Sequence, residues 1–327
     1  MQKKPKKDQT DAVAAAKERS FRETSEDWLR VLRPQLKEST VNKYVNLLKS
    51  YVYPALGELP VAAVDRDRLE SLCLELLRSG GSKGQGLTAK TVSDTLTVVR
   101  SVLRFAGAAD PEPAVRLRLP RRRPGPRVLS REEQERLCAT LLSHTDRSRA
   151  GVLLCLFTGL RIGELCALRW EDISLAEGTL TVRRTVQRLQ NQSGSGRRTY
   201  LAVTEPKSQC SVRTIPLPDF LREILAEQRV AGTGYFLTDS ERCMEPRSMQ
   251  NRFKRLLRES GLEDINYHAL RHTFATRCVE LRFDVKSLSE ILGHSSVSIT
   301  MNRYVHPSME LKRENMRRLN ALLDPAE

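Results

Sequence analysis

The chain has 327 residues, with 55 Lys plus Arg against 40 Asp plus Glu and a formal net charge of +15. That length predicts two domains at roughly 100–200 residues each, and 39% hydrophobic with 29% charged residues excludes a disordered or fibrous chain. The longest apolar run, Ala150–Phe157, falls far short of the ~20 residues of a membrane-spanning helix, so no membrane partner is expected. The start, with Lys3, Lys4, Lys6 and Lys7, lacks the apolar core of a secretory signal. Seven Cys without a C-x-x-C pair or a Cys/His cluster argue against a disulfide framework and structural zinc, and for a reducing cytoplasm. The positive surplus suits a polyanion, nucleic acid first, with a solvated basic surface as the plainer alternative.

Residues 1–19 read as a basic tail, and 20–115 as a helical domain. Trp28, Leu29, Val31 and Leu32 mark one amphipathic stretch; Val41, Tyr44, Leu47, Leu48 and Tyr51 mark a second, which Pro54 and Gly57 are expected to break. Leu69, Leu72, Leu76 and Leu77 form a third stripe. After the Gly/Ser-rich loop 79–86, a fourth helix follows Thr88 with Val92, Leu96, Val99, Val102 and Leu103 on one face. Four such helices make a bundle that can fold alone.

Between 116 and 129 the composition changes sharply, with Arg121, Arg122 and Arg123 among interleaved prolines. Prolines remove backbone donors and favour extended chain, so this is a linker. Most of the positive excess has accumulated by Arg127, and arginine without acidic neighbours matches a phosphate backbone better than a mere spacer. The second domain, 130–327, opens on Ser130-Arg131-Glu132-Glu133, the spacing of a capping box. Helices run to about Ile173, and residues 178–217 then alternate with a two-residue period that predicts one small antiparallel sheet. From Pro218 the pattern is helical again. The expected class is mainly α with a small antiparallel β-sheet, a helical domain plus a mixed α/β one.

Certain polar residues sit where a core-building sequence would not place them. Arg161, in Thr158-Gly159-Leu160-Arg161-Ile162-Gly163-Glu164, starts a helix directly behind the most apolar one, with Glu164 on its face. His268 and Arg271, in Tyr267-His268-Ala269-Leu270-Arg271-His272-Thr273, share a helical face suited to gripping a phosphate. His294 follows a helix end at Gly293, and Tyr304 lies ten residues on. Taken singly, each reads as structural, and the Arg161–Glu164 pair reads as an ordinary surface ion pair.

In order and spacing together, Arg161, Lys207, His268, Arg271, His294 and Tyr304 resemble the active site of the tyrosine recombinase (phage integrase) family, through TGLRIGE, HALRHTFAT, LGHSS and the terminal Tyr. The resemblance covers the second domain and, more loosely, the helical domain, which looks like that family's core-binding domain. It implies a clamp on duplex DNA carrying core recombination sites, a homotetramer on synapsed DNA, and a reaction through a 3′-phosphotyrosyl link. Tyr304 would be the nucleophile and Arg161 and Arg271 would stabilise charge on the phosphate. His268 would serve as general base or donor, His294 as donor, and Lys207, on the turn between the second and third strands, as general acid, with Arg213 nearby. Glu164 would orient Arg161. The covalent link conserves the phosphodiester's energy, so no cofactor, ATP or metal is expected, and no carboxylate cluster for two magnesium ions is seen. The resemblance also leaves room for an accessory DNA-bending protein.

Only about 19 residues precede the helical domain, too few for the arm-binding domain of many integrases, which suits a recombinase of core sites alone. Against this, the extended hairpin around Arg188–Tyr200 looks like the β-insertion of integrases from conjugative transposons, and integration and excision of a mobile element is the reading preferred. A chromosome-dimer-resolving recombinase, a catalytically inactive DNA-binding relative and a type IB topoisomerase remain the alternatives. Met309, Lys312, Met316, Leu319, Leu322 and Leu323 predict a final helix over 309–323 whose apolar stripe must be buried, in this chain or in another, and the resemblance implies docking on a neighbouring protomer.

Overall fold

The computed structural model describes residues 18–81, 84–108, 127–144, 146–191, 198–205, 212–229, 233–304, 309–317 and 319. The chain forms two compact units, Met1–Pro124 and Gly125–Glu327.

In the first unit α1 (Phe21–Leu32) starts at a capping box in which Ser20 Oγ accepts from the Glu23 amide and Glu23 accepts from the Ser20 amide. The second stripe is longer than expected. Pro54 does not break it: α2 (Glu38–Leu47) passes through a π-helical turn, Leu48–Val52, straight into α3 (Tyr53–Leu56). The wider turn makes space for a proline ring and leaves no amide owed to the preceding turn, so the helix bulges instead of ending. Helix α4 (Arg66–Ser79) is capped by Asp65 and α5 (Ala89–Phe105) by Thr88. Phe21, Leu48, Leu69, Val92 and Val99 meet in one core, as the stripes require.

The second unit opens as its sequence predicts. Ser130 Oγ accepts from the Glu133 amide at 3.1 Å and Glu133 accepts from the Ser130 amide at 2.8 Å, starting α6 (Arg131–Ser143). Helix α7 (Arg147–Thr158) is buried on nearly every face and ends at Gly159 in the left-handed region, φ +68°. The short α8 (Ile162–Cys166) follows, then a 3-10 turn, Trp170–Asp172. The single sheet expected over 178–217 is instead two. Strands β1 (Ile173–Ser174), β2 (Thr179–Val182) and β5 (Arg213–Pro216) form one in the order β1-β2-β5; β3 (Thr185–Gln190) and β4 (Thr199–Thr204) form a separate hairpin. The interruption falls at Arg183 and Arg184. Both turn back to Asp172, Arg184 at 2.9 Å and Arg183 at 3.6 Å, and adjacent side chains drawn to one carboxylate cannot keep a two-residue alternation.

Helices α9 (Asp219–Gln228), α10 (Pro246–Glu259), α11 (His268–Glu280), α12 (Val285–Leu292), α13 (Val297–Tyr304) and α14 (Met309–Arg317) complete the unit, with α11 packed along α7. Met309, Met316 and Leu319 are exposed, so the start of the terminal stripe is uncovered within this chain; most of the expected helix beyond Arg317 lies outside the described residues. Among the described residues no helix is long and apolar enough to cross a membrane.

Candidate active site

Three helix ends converge because one arginine is bonded to two of them. Arg271, one turn into α11, donates Nη1 to the Gly159 carbonyl at 2.7 Å and Nη2 to the Leu292 carbonyl at 2.6 Å. Carbonyls at helix C-termini carry unpaired acceptor capacity and partial negative charge, so they suit a buried guanidinium. Gly159 is required here: its backbone is left-handed, and a Cβ would stand 2.7 Å from Phe274 Cδ1 and 2.8 Å from Leu292 Cδ2. Arg271 is only 2% exposed. Burial, followed by repulsion from Arg161, makes its charge harder to carry than usual and so readies it for an anion.

Arg161 is the N-cap of α8 and is partly exposed. Its Nη1 lies 2.7 Å from Glu164 Oε1, and its amide donates to Oε2 at 2.9 Å. This is no ordinary surface pair, because Glu164 is buried and also accepts both terminal nitrogens of buried Arg213, at 3.2 and 2.9 Å. Burial would raise the Glu164 pKa, but Arg213 and then Arg161 outweigh it and hold the carboxyl at about 2. Arg213 Nε further donates to the Ile291 carbonyl, so the side chain that the sequence left as a neighbour of Lys207 is committed to the Glu164 cluster.

Tyr304, the last residue of α13, is 8% exposed, its ring packed in a small cluster with Phe274, Leu288 and Leu292. Its hydroxyl lies 2.8 Å from Nδ1 of His272, a residue that the motif reading passed over. The His268 ring meets His272 edge-on, with centroids 4.5 Å apart, and His268 itself is exposed. The His294 ring lies parallel to that of Tyr304, 6.5 Å between centroids, with its Nδ1 held by buried Thr300 at 2.8 Å. Desolvation comes first in lowering both His272 and His294 to about 4, with His268, Arg303 and Arg271 adding for His272, and Arg271, Arg161, Arg303 and Arg213 for His294. Both imidazoles are neutral at pH 7. Burial raises the Tyr304 phenol, against the pull of Arg271, Arg303 and Arg161.

Arg161, His268, Arg271, His294 and Tyr304 are thus neighbours in one site, joined through the Leu292–Gly293 corner, whose Gly293 carbonyl also faces Arg161 Nη2 at 3.5 Å. Lys207 and Arg121, Arg122 and Arg123 lie outside the described residues; the segment with Lys207 connects β4 to β5 and so joins different sheets. Tyr267, beside His268, is also buried, but its hydroxyl donates to Cys155 Sγ at 3.6 Å and not to an imidazole. His272 had one signal in the sequence, a second His four residues after His268 on the same helix. The Arg213–Glu164 pair, 49 residues apart, had none.

The phage integrase family profile matches residues 127–310 and the phage integrase central domain residues 21–119. The tyrosine recombinase XerC-like protein of Caldanaerobacter subterraneus subsp. tengcongensis is 33% identical over 60% of this chain, which spans 54% of that relative's length. The tyrosine recombinase XerA of Pyrococcus furiosus is 30% identical over 73% of this chain and 78% of its own. The Tn1549 transposon integrase, solved with transposon right end DNA, shares the fold at a TM-score of 0.74 and 22% identity, covering 92% of this chain and 100% of that one. With the phage integrase family profile matched over more than half its length, the chain belongs to the phage integrase family, the tyrosine recombinases, enzymes that cleave and rejoin DNA strands.

Proposed function

We propose that the chain is a site-specific recombinase of duplex DNA in which Tyr304 attacks a phosphodiester. The observation that carries this reading is the placement of the Tyr304 hydroxyl among neutral imidazoles, beside a cluster of arginines. The Tyr304 Oη–P bond forms, the P–O5′ bond breaks, and the free 5′-hydroxyl later attacks the partner strand's phosphotyrosine. Arg161 and Arg271 bind the non-bridging oxygens and offset the charge growing on phosphorus. Thr300 fixes the His294 Nδ1 side, which leaves Nε2 for the phosphate. His268 adds a donor at the solvent-facing edge. The departing O5′ takes a proton from Lys207, since Arg213 is tied to Glu164 and a guanidinium does not release protons at working pH.

Tyr304→Phe tests the core of this reading. It should abolish the covalent protein–DNA adduct on a nicked site while site binding persists, and an adduct that survives denaturing electrophoresis overturns it. Lys207→Ala should slow cleavage severely on an ordinary bond and far less on a 5′-bridging thiolate substrate; equal slowing on both removes Lys207 from the acid role. The linker arginines Arg121, Arg122 and Arg123 serve as phosphate contacts between a core-binding domain, 20–115, and the catalytic domain, 130–327. Their replacement by Ala should weaken all duplexes alike and flatten the salt dependence.

Integration and excision of a mobile element, as part of a homotetramer in the cytoplasm, is the biological setting proposed, supported by the six-residue arms of the β3–β4 hairpin. The likeness to the Pyrococcus furiosus XerA recombinase favours chromosome-dimer resolution as the second reading. Joining of the gene's flanking DNA to a new target supports the first; resolution confined to identical tandem sites supports the second. The exposed Met309 and Met316 of α14 suit docking on a neighbouring protomer. Deletion from Met309 should then leave half-site binding and remove synapsis.

A further inference from the structure

We propose that His272 is a further catalytic residue, the group that takes the proton of the Tyr304 hydroxyl as the phenol oxygen attacks phosphorus. This rests on the reading of Tyr304 as nucleophile and goes beyond it, since the resemblance leaves His268 as general base or donor and gives His272 no role. The Tyr304 hydroxyl stands 2.8 Å from His272 Nδ1, within the reach that direct proton transfer needs. Both residues are buried, so water is a poor competitor for that proton.

A phenol with a pKa of about 10 is almost wholly protonated at pH 7, and burial makes it a still weaker acid here. Nearby arginines stabilise the phenolate but accept nothing. A neutral imidazole with Nε2 protonated presents a lone pair at Nδ1, which is the missing acceptor. His272 stays neutral because it is desolvated and faces His268 and Arg271 on α11 and Arg303 on α13, while His294 lies parallel to the Tyr304 ring. In the cleavage step the Oη–H proton passes to His272 Nδ1, the Oη–P bond forms and the P–O5′ bond breaks as O5′ is protonated. The imidazolium that results is stabilised by the negative charge of the bound phosphate. In the rejoining step it returns the proton to the departing phenol oxygen. His268, edge-on to His272 and exposed, is left as a phosphate donor at the rim.

The test measures single-turnover cleavage of a prebound nicked site with a 5′-bridging thiolate, so that the leaving group needs no proton and the remaining pH dependence reports on the nucleophile. His272→Asn places an amide oxygen near Nδ1 and can hold the hydroxyl but cannot take its proton. It should cleave about 100-fold more slowly than the wild type near pH 7, with the deficit shrinking as pH rises and hydroxide substitutes for the base. Half-site affinity should not change. A His272→Asn protein that cleaves within about twofold of the wild type, or whose deficit is the same at every pH, overturns the proposal. Exposed His268 supplies the second arm, which does not depend on the folding of a core variant. His268→Asn should show a deficit independent of pH, and one that shrinks with rising pH makes His268 the acceptor and overturns it. The reading of Tyr304 itself fails only if Tyr304→Phe still forms an adduct, an outcome distinct from these.

Discussion

Among the described residues, only the second unit buries charged groups. In the first, the buried polar side chains Thr24, Ser25, Asn42 and Thr95 are neutral, and each bonds to a backbone carbonyl three or four residues back on its own helix. The second buries neutral groups of the same local kind, such as Thr158, Ser260 and Thr273, but it also buries Glu164, Asp172, Arg213, Arg271 and His272; Arg213 reaches back 49 residues to Glu164, and Arg271 reaches 112 residues to Gly159. Neutral groups satisfied within a turn cost little and ask little of the rest of the fold, although Ser25 also meets the Tyr53 hydroxyl at 2.8 Å. Buried charges impose a large desolvation cost, offset only when several segments deliver partners at once. The second unit therefore holds its loops in one arrangement through charge, and that arrangement is the site.

The comparison breaks most visibly at Glu164. Glu164→Ala leaves Arg213 buried without its carboxylate and should destabilise the second unit by about 3–5 kcal/mol, read as a lowered thermal transition. Phe21→Ala should cost the first unit a similar ~3–5 kcal/mol by leaving a cavity. The two losses differ in their dependence on acid. The Glu164 carboxyl sits at about 2 in the folded chain against an ordinary 4.5, so its contribution is complete above the ordinary value and is lost as pH falls towards 2. The extra acid lability of the wild-type second unit over that window should be missing from Glu164→Gln. Phe21→Ala should shift stability by the same amount throughout. A Glu164→Gln protein with unchanged acid lability would remove the cluster as the cause.

Gly159→Ala is expected to be milder in stability and sharper in function. The new methyl collides with Phe274 and Leu292 at a backbone angle that disfavours any side chain, costing about 1–3 kcal/mol. It also moves the carbonyl that holds Arg271, so the cleavage rate should fall by at least about tenfold, since a misplacement of ~1 Å can cost far more, with half-site binding kept. Loss of stability without loss of rate would show that Arg271 does not depend on that carbonyl for its position.

What could be read from the sequence follows the same division. Local physics was legible: the Ser130 cap and the amphipathic stripes need only a few adjacent residues to be recognised. So was the ordered set of Arg161, His268, Arg271, His294 and Tyr304, because order and spacing survive in one dimension. Three features were not. Pro54 has two outcomes, a break or a π turn, and packing selects between them. The β2–β3 interruption depends on Asp172, just before β1, drawing in both Arg183 and Arg184, just after β2. The i, i+4 spacing marks His272 as a neighbour of His268, but not as a partner of Tyr304, because only α13 folding back brings Tyr304 onto it.

The smallest effect sharpens the comparison most finely, because the two units open with the same device. Ser20 and Ser130 are each the first member of a reciprocal capping box, with Glu23 and Glu133 as partners. Loss of a capping hydroxyl costs about 1 kcal/mol, so Ser20→Ala and Ser130→Ala should lower their own unit's transition by similar amounts, roughly 2–8 °C. Their surroundings differ. Leu129, just before the second cap, donates its amide to Thr273 at 3.0 Å and accepts from Arg277 at 2.7 Å, both on the helix that carries Arg271 and His272. If the site is held by its buried charges, that connection is redundant, and Ser130→Ala should cleave at the wild-type rate, like Ser20→Ala. A cleavage rate that falls in Ser130→Ala alone, at equal stability loss, would show that α11 is positioned from α6 as well, and that backbone anchoring shares the work assigned here to charge.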